Sequence, residues 1–81
     1  MDVTVQLYAT LKDKVGQEVV TVTLNEGATV GALKAALAEA YPVLVAHLPT
    51  TIVAVNQEYA FAEDVIAAGA EVAVFPPVSG G

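Results

Sequence analysis

Glu71-Val72-Ala73-Val74-Phe75-Pro76-Pro77-Val78-Ser79-Gly80-Gly81 closes the sequence. Its first half is β-branched and apolar, as a strand requires. Its second half holds two prolines, a small spacer and a double glycine. Pro76 and Pro77 have no backbone N–H and fix φ near −65°, so they end a sheet ladder and start an extended projection. Gly80 and Gly81 lack a Cβ and fit a channel too narrow for other residues. Read as the terminus, Gly81 carries a bare α-carboxylate, in a chain that offers few other reactive groups.

Working back from this stretch, Val3, Val5 and Leu7 alternate with Thr4, Gln6 and Tyr8, the period of a strand with one buried face. Thr10 to Gly16 reads as a short helical turn and connection. Glu18 to Leu24 alternates again, with Val20, Val22 and Leu24 on one face, and pairs with the first strand as an antiparallel hairpin. Asn25-Glu26-Gly27-Ala28 is turn chemistry, and Thr29 stands where an N-cap belongs. The cap is partial, because position 32 is alanine where a capping box has glutamate. Val30, Leu33, Leu37 and Ala40 then follow at helical spacing, and Pro42 ends the helix. Val43 to Leu48 reads as a helical turn or packed loop, and Thr51 to Val55 as a third strand. Asn56-Gln57-Glu58 is a turn into a short edge strand at Tyr59-Ala60. Ala62 to Gly69 is expected to be a loop with one helical turn.

One helix cannot cover both faces of such a sheet. The expected architecture is a two-layer α+β domain, a mixed sheet wrapped around one side of the main helix. If the last strand lies parallel to the first, it is a β-grasp, the ubiquitin-like arrangement. The predicted domain spans residues 1–75 and the predicted tail residues 76–81. The outer face of the sheet is left partly apolar, open to cover by a partner.

Composition bounds the chemistry. At 81 residues the chain is one domain, which buries about two-thirds of the surface its unfolded form exposes. It has no cysteine, which excludes a disulfide scaffold, a zinc ribbon, an iron–sulfur site and a cysteine nucleophile, and fits a cytoplasmic location. No signal-peptide pattern and no membrane-length apolar run is visible. Nine acidic residues against three lysines (Lys12, Lys14, Lys34) and no arginine give a net charge of −6. That balance argues against nucleic acid and against an anionic membrane as partner. It favours a partner with a basic pocket, or serves solubility alone.

The chain resembles the small-subunit family of molybdopterin synthase, sulfur carriers with a β-grasp fold. The resemblance rests chiefly on Phe75-Pro76-Pro77-Val78-Ser79-Gly80-Gly81. Thr29-Val30-Gly31-Ala32-Leu33, Ala54-Val55-Asn56-Gln57 and Gly69-Ala70-Glu71-Val72-Ala73 support it. It implies that a ubiquitin-activating-like adenylating enzyme joins the Gly81 carboxylate to AMP. The acyl-adenylate is then converted to a thiocarboxylate. It also implies that Pro76, Pro77, Val78, Ser79 and Gly80 thread into the large synthase subunit, where sulfur passes to a cyclic pyranopterin precursor. No bound cofactor or metal is implied. The physical requirements agree: a carboxylate is ionised at neutral pH and a poor electrophile until it carries a leaving group. Six extended residues reach roughly 20 Å, and a pre-extended tail loses less entropy on insertion. The phosphate-handling cations are left to the partners, so the chain itself supplies no catalytic side chain.

Leu7, Tyr59 and Phe75 are the candidates for a docking patch on the outer sheet face. Leu7 shares the parity of Val3 and Val5, which favours the core; Phe75 favours the interface. Other candidate sites are weaker. His47 has no cysteine or second histidine to share a metal. Ser79 has no nearby base. Glu63-Asp64 reads as a solvated turn and Lys34 as part of a solvated helix face. Gly27, Gly31 and Gly69 lack phosphate-loop spacing. The same fold and double glycine also suit a sulfur carrier for thiamine synthesis, a protein modifier that forms isopeptide bonds with lysines, or a plain binding module with a frayed end.

Overall fold

The computed structural model describes residues 1–77. Its elements run β1 (Asp2–Leu7), α1 (Ala9–Val15), β2 (Val19–Thr23), α2 (Val30–Ala40), 3-10 turns at Pro42–Leu44 and Leu48–Thr50, β3 (Ile52–Val55), β4 (Glu58–Ala60) and β5 (Val72–Phe75). The five strands form one sheet in the order β2-β1-β5-β3-β4. β5 runs parallel to β1, with Gln6 opposite Ala73, and antiparallel to β3, with Ala54 opposite Ala73. The other neighbours are antiparallel. This is the expected β-grasp.

The alternation of β1 decides the layering. Val3, Val5 and Leu7 are buried, together with Val20, Val22 and Leu24, Val53, Val72 and Val74. They face Val30, Leu33 and Leu37 of α2. Each fully buried aliphatic side chain contributes about 1.5–3 kcal/mol of transfer free energy. Leu11, Leu44, Leu48 and Ile66 complete the core from short or irregular segments. Ala40, expected on the apolar stripe of α2, is exposed. The buried stripe ends at Leu37, one turn before the helix closes at Ala40, and half-buried Tyr41 takes over the packing against the core.

The loop from Ala62 to Gly69 forms turns and an isolated bridge, and no helical turn. Its backbone is committed elsewhere. The first N–H groups of α2 have no partner within the helix. Val30 N–H donates to the Asp64 carbonyl at 2.9 Å and Gly31 N–H to the Ala62 carbonyl at 2.9 Å. Ala32 N–H donates to Thr29 Oγ1 at 3.2 Å. The cap that looked partial in sequence is completed across the molecule. Gly31 eases this approach, since a Cβ there would stand 3.3 Å from the Ala62 carbonyl oxygen, a tight contact.

Candidate functional site

The chain leaves the sheet from its middle. β5 is flanked on both sides, so the strand carrying Phe75 into Pro76 is held by two ladders. Residues at odd-numbered positions of β5 face away from α2. Phe75 is half-buried there, stacked on Tyr8 with ring centroids 4.5 Å apart and an interplanar angle of 14°. Ile52 lies opposite Phe75 in the β3–β5 register. Tyr59 on β4 stands next to Ala54 and is 80% exposed. Tyr8, Ile52, Tyr59, Phe75, Pro76 and Pro77 line one apolar depression where the chain departs from the sheet. Ala9 borders it with φ 52°, a left-handed conformation that turns the chain sharply from β1 into α1.

Of the three expected docking residues, Tyr59 and Phe75 are brought together here. Leu7 is corrected: it is 1% exposed and belongs to the core. Its parity with Val3 and Val5 sends it to the face that α2 covers. Tyr8 and Ile52 were missed as platform residues. Tyr8 has the parity of Thr4 and Gln6, which marks the outer face. Of the threading tail, Pro76 is half-buried and Pro77 exposed; Val78, Ser79, Gly80 and Gly81 lie outside the described residues.

Asp64, Lys34 and the backbone of His47 take structural roles. Asp64 Oδ2 accepts the Phe61 N–H at 2.7 Å, closing a turn. Lys34, expected in solvent, donates from Nζ to the Thr51 carbonyl at 3.2 Å and ties α2 to the start of β3. His47 is half-buried, and its carbonyl accepts the Thr50 hydroxyl at 3.1 Å. Among the described residues no cluster of three His, Cys, Asp or Glu suits a metal ion, and no buried side-chain nitrogen or oxygen lacks a partner. No described helix is long and apolar enough to cross a membrane. What the described residues form is a rigid strand exit beside an aromatic platform. It can present a chain end and bind a surface.

A five-stranded β-grasp with such an exit defines a class of small ubiquitin-like proteins. Within it, residues 5–81 match the ThiS family, and the chain belongs to that family. It is 35% identical to the molybdopterin synthase sulfur carrier subunit of Chlamydomonas reinhardtii, over all of both chains. The crystal structure of SAMP1 from Haloferax volcanii superposes with a TM-score of 0.89 at 35% identity, again over all of both chains. A chain of the complex of subunits 1 and 2 of molybdopterin-converting factor from Helicobacter pylori matches at TM-score 0.69 and 22% identity over all of both chains, a likeness of fold.

Proposed function

We propose that this chain is a sulfur carrier of molybdenum cofactor synthesis, with Gly81 as its working end. An adenylating enzyme transfers AMP from ATP to the Gly81 carboxylate and releases pyrophosphate. Sulfide-level sulfur then attacks the acyl carbon and displaces AMP, leaving a thiocarboxylate. That sulfur is anionic and nucleophilic, and it attacks a side-chain carbon of the pterin precursor in the active site of the large synthase subunit, displacing an oxygen leaving group. Water then cleaves the acyl–sulfur bond, which leaves the sulfur on the pterin and restores the Gly81 carboxylate. The body docks through Tyr59, Phe75, Tyr8 and Ile52, while residues 76–81 act as the inserted tail. The carrier works in the cytoplasm, where its partners supply all the cations.

One observation carries this reading: β5 delivers Phe75-Pro76-Pro77 from the sheet centre beside an apolar platform. Proline at both positions withholds the N–H groups that would continue pairing. Family membership and full-length similarity to a sulfur carrier subunit support it. The test is intact mass spectrometry after co-expression with an adenylating enzyme and a sulfur source. The expected product is heavier by the difference between sulfur and oxygen, at the terminal residue; unmodified carboxylate under every condition refutes the reading.

The likeness to SAMP1, which a second Haloferax volcanii structure describes as small archaeal modifier protein 1, favours a second reading as a protein modifier. Under it, the adenylated glycine is attacked by a lysine amine, giving isopeptide-linked conjugates. Higher-mass, lysine-dependent bands in cells would support that role.

A further inference from the structure

Two stretches picked out in sequence, Asn56-Gln57 and Glu71, have no part in presenting a chain end. The fold joins them. Glu71 N–H donates to Asn56 Oδ1 at 2.9 Å, and Asn56 N–H donates to the Glu71 carbonyl at 2.7 Å. This two-way bracket fixes the backbone of Glu71 just before β5. Asn56 and Gln57 have φ of 52° and 69°, the double left-handed turn that a two-residue hairpin needs. Gln57, Glu71 and Gln6 thereby share a second depression on the outer sheet face, of about 410 Å³, separate in character from the apolar one at the strand exit.

Its make-up is specific. The floor is Ala54 and Ala73, which are opposite each other in register. Tyr59, cross-strand from Ala54, walls one side, and the Tyr8–Phe75 stack closes the end towards the exit. One carboxylate and two carboxamides stand at the polar end. No lysine lines it: Lys12 and Lys14 are on α1, and Lys34 is held by Thr51.

We infer that this depression receives one arginine side chain from the partner that docks on the outer face. The inference rests on the docking proposed above and deepens it. A guanidinium offers five N–H donors in a planar fork. Two suit the Glu71 carboxylate as a bidentate pair, and the others suit the amide oxygens of Gln6 and Gln57. Its flat face stacks on a tyrosine ring. The methylene stem crosses the alanine floor, where a larger residue would block it. Lysine, a compact and strongly hydrated charge, would reach Glu71 but leave the aromatic wall and the amides poorly used. An apolar knob would bury Glu71 without a counter-charge, which is costly. The net charge of −6 attracts such a cationic partner.

The test has two arms. In the first, the full chain is titrated with N-methylguanidinium and, at matched ionic strength, with methylammonium, followed by amide NMR. Saturable shifts at Gln6, Gln57, Glu71 and Ala73 are expected with the guanidinium alone, and are lost in Glu71→Gln, whose spectrum also verifies folding. Equal shifts with both ions, or an unchanged response in Glu71→Gln, overturn the inference. In the second arm, affinity for the large subunit of molybdopterin synthase is measured. Glu71→Gln is expected to weaken it about tenfold, in keeping with the loss of a charge-assisted hydrogen bond. An affinity within about twofold of the parent, alongside weakening by Tyr59→Ala, overturns the arginine receptor and leaves the docking face standing. If the parent chain does not bind that subunit, the docking reading fails, and the guanidinium titration alone decides the receptor.

Discussion

Neighbouring positions in β1 have opposite fates. Leu7 is sealed in the core while Tyr8 joins the outer platform, because successive side chains leave a strand on opposite faces. Leu7→Ala should therefore lower stability by about 2–5 kcal/mol, as buried leucine truncations do. Tyr59→Ala, at an almost bare position, should stay within about 0.5 kcal/mol of the parent. Urea unfolding measures both. Affinity for the large subunit should reverse the order, since truncating an exposed interface aromatic typically weakens binding. Leu7 was a docking candidate only as an apolar residue expected on the sheet near where the tail leaves; its parity already favoured the core. Tyr8 was equally legible by parity and was overlooked, because an aromatic beside Thr and Gln looks like ordinary strand filling until Phe75 is seen stacked on it.

Two elements depend on contacts that arrive from far along the chain. The start of α2 is capped partly by Thr29 and partly by carbonyls of Ala62 and Asp64. Thr29→Ala should cost about 1 kcal/mol by urea unfolding, the usual worth of an N-cap hydroxyl. The loss is not expected to unravel the helix, because the Val30 and Gly31 donors keep their partners. The β3–β4 hairpin holds Gln57 at positive φ, a conformation that costs a side-chain-bearing residue about 1–2 kcal/mol relative to right-handed backbone. Gln57→Gly should stabilise the protein by about 0.5–1 kcal/mol in the same assay. If Gln57 serves the arginine receptor, that variant gains stability and loses response to N-methylguanidinium together. The turn at Asn56-Gln57-Glu58 was readable from composition; the helical turn expected at Ala62 to Gly69 was not formed. Glu63-Asp64 suggests a helix start, but tertiary demand for the loop's carbonyls outweighed that weak local preference.

For the whole molecule, the core runs from Val3 to Val74, and no described core residue lies beyond it. Ending the chain after Pro77 should leave the unfolding midpoint in urea unchanged within error while removing all sulfur donation. The net charge of −6 makes a kinetic prediction. Association with a cationic partner should slow as salt rises, because steering between exposed charges is screened beyond about 10 Å at 0.1 M ionic strength. Stopped-flow association rates at several salt concentrations measure this; a rate indifferent to salt would show that charge steers nothing.

The sequence alone determined the period of each long strand, the main helix with Thr29 at its N-cap, the α+β class and the proline pair that ends β5, because those signals are local. Side-chain alternation, cap chemistry and proline geometry act over a few residues. Tertiary structure alone decided which apolar residues of the short or irregular segments became core, as with Leu11, Leu44, Leu48 and Ile66. It also decided which carbonyls complete the cap of α2 and how Glu71 meets Asn56 at the end of the β3–β5 ladder. Those pairings join residues far apart along the chain. No local preference encodes them, and they exist only once the sheet has closed around its helix.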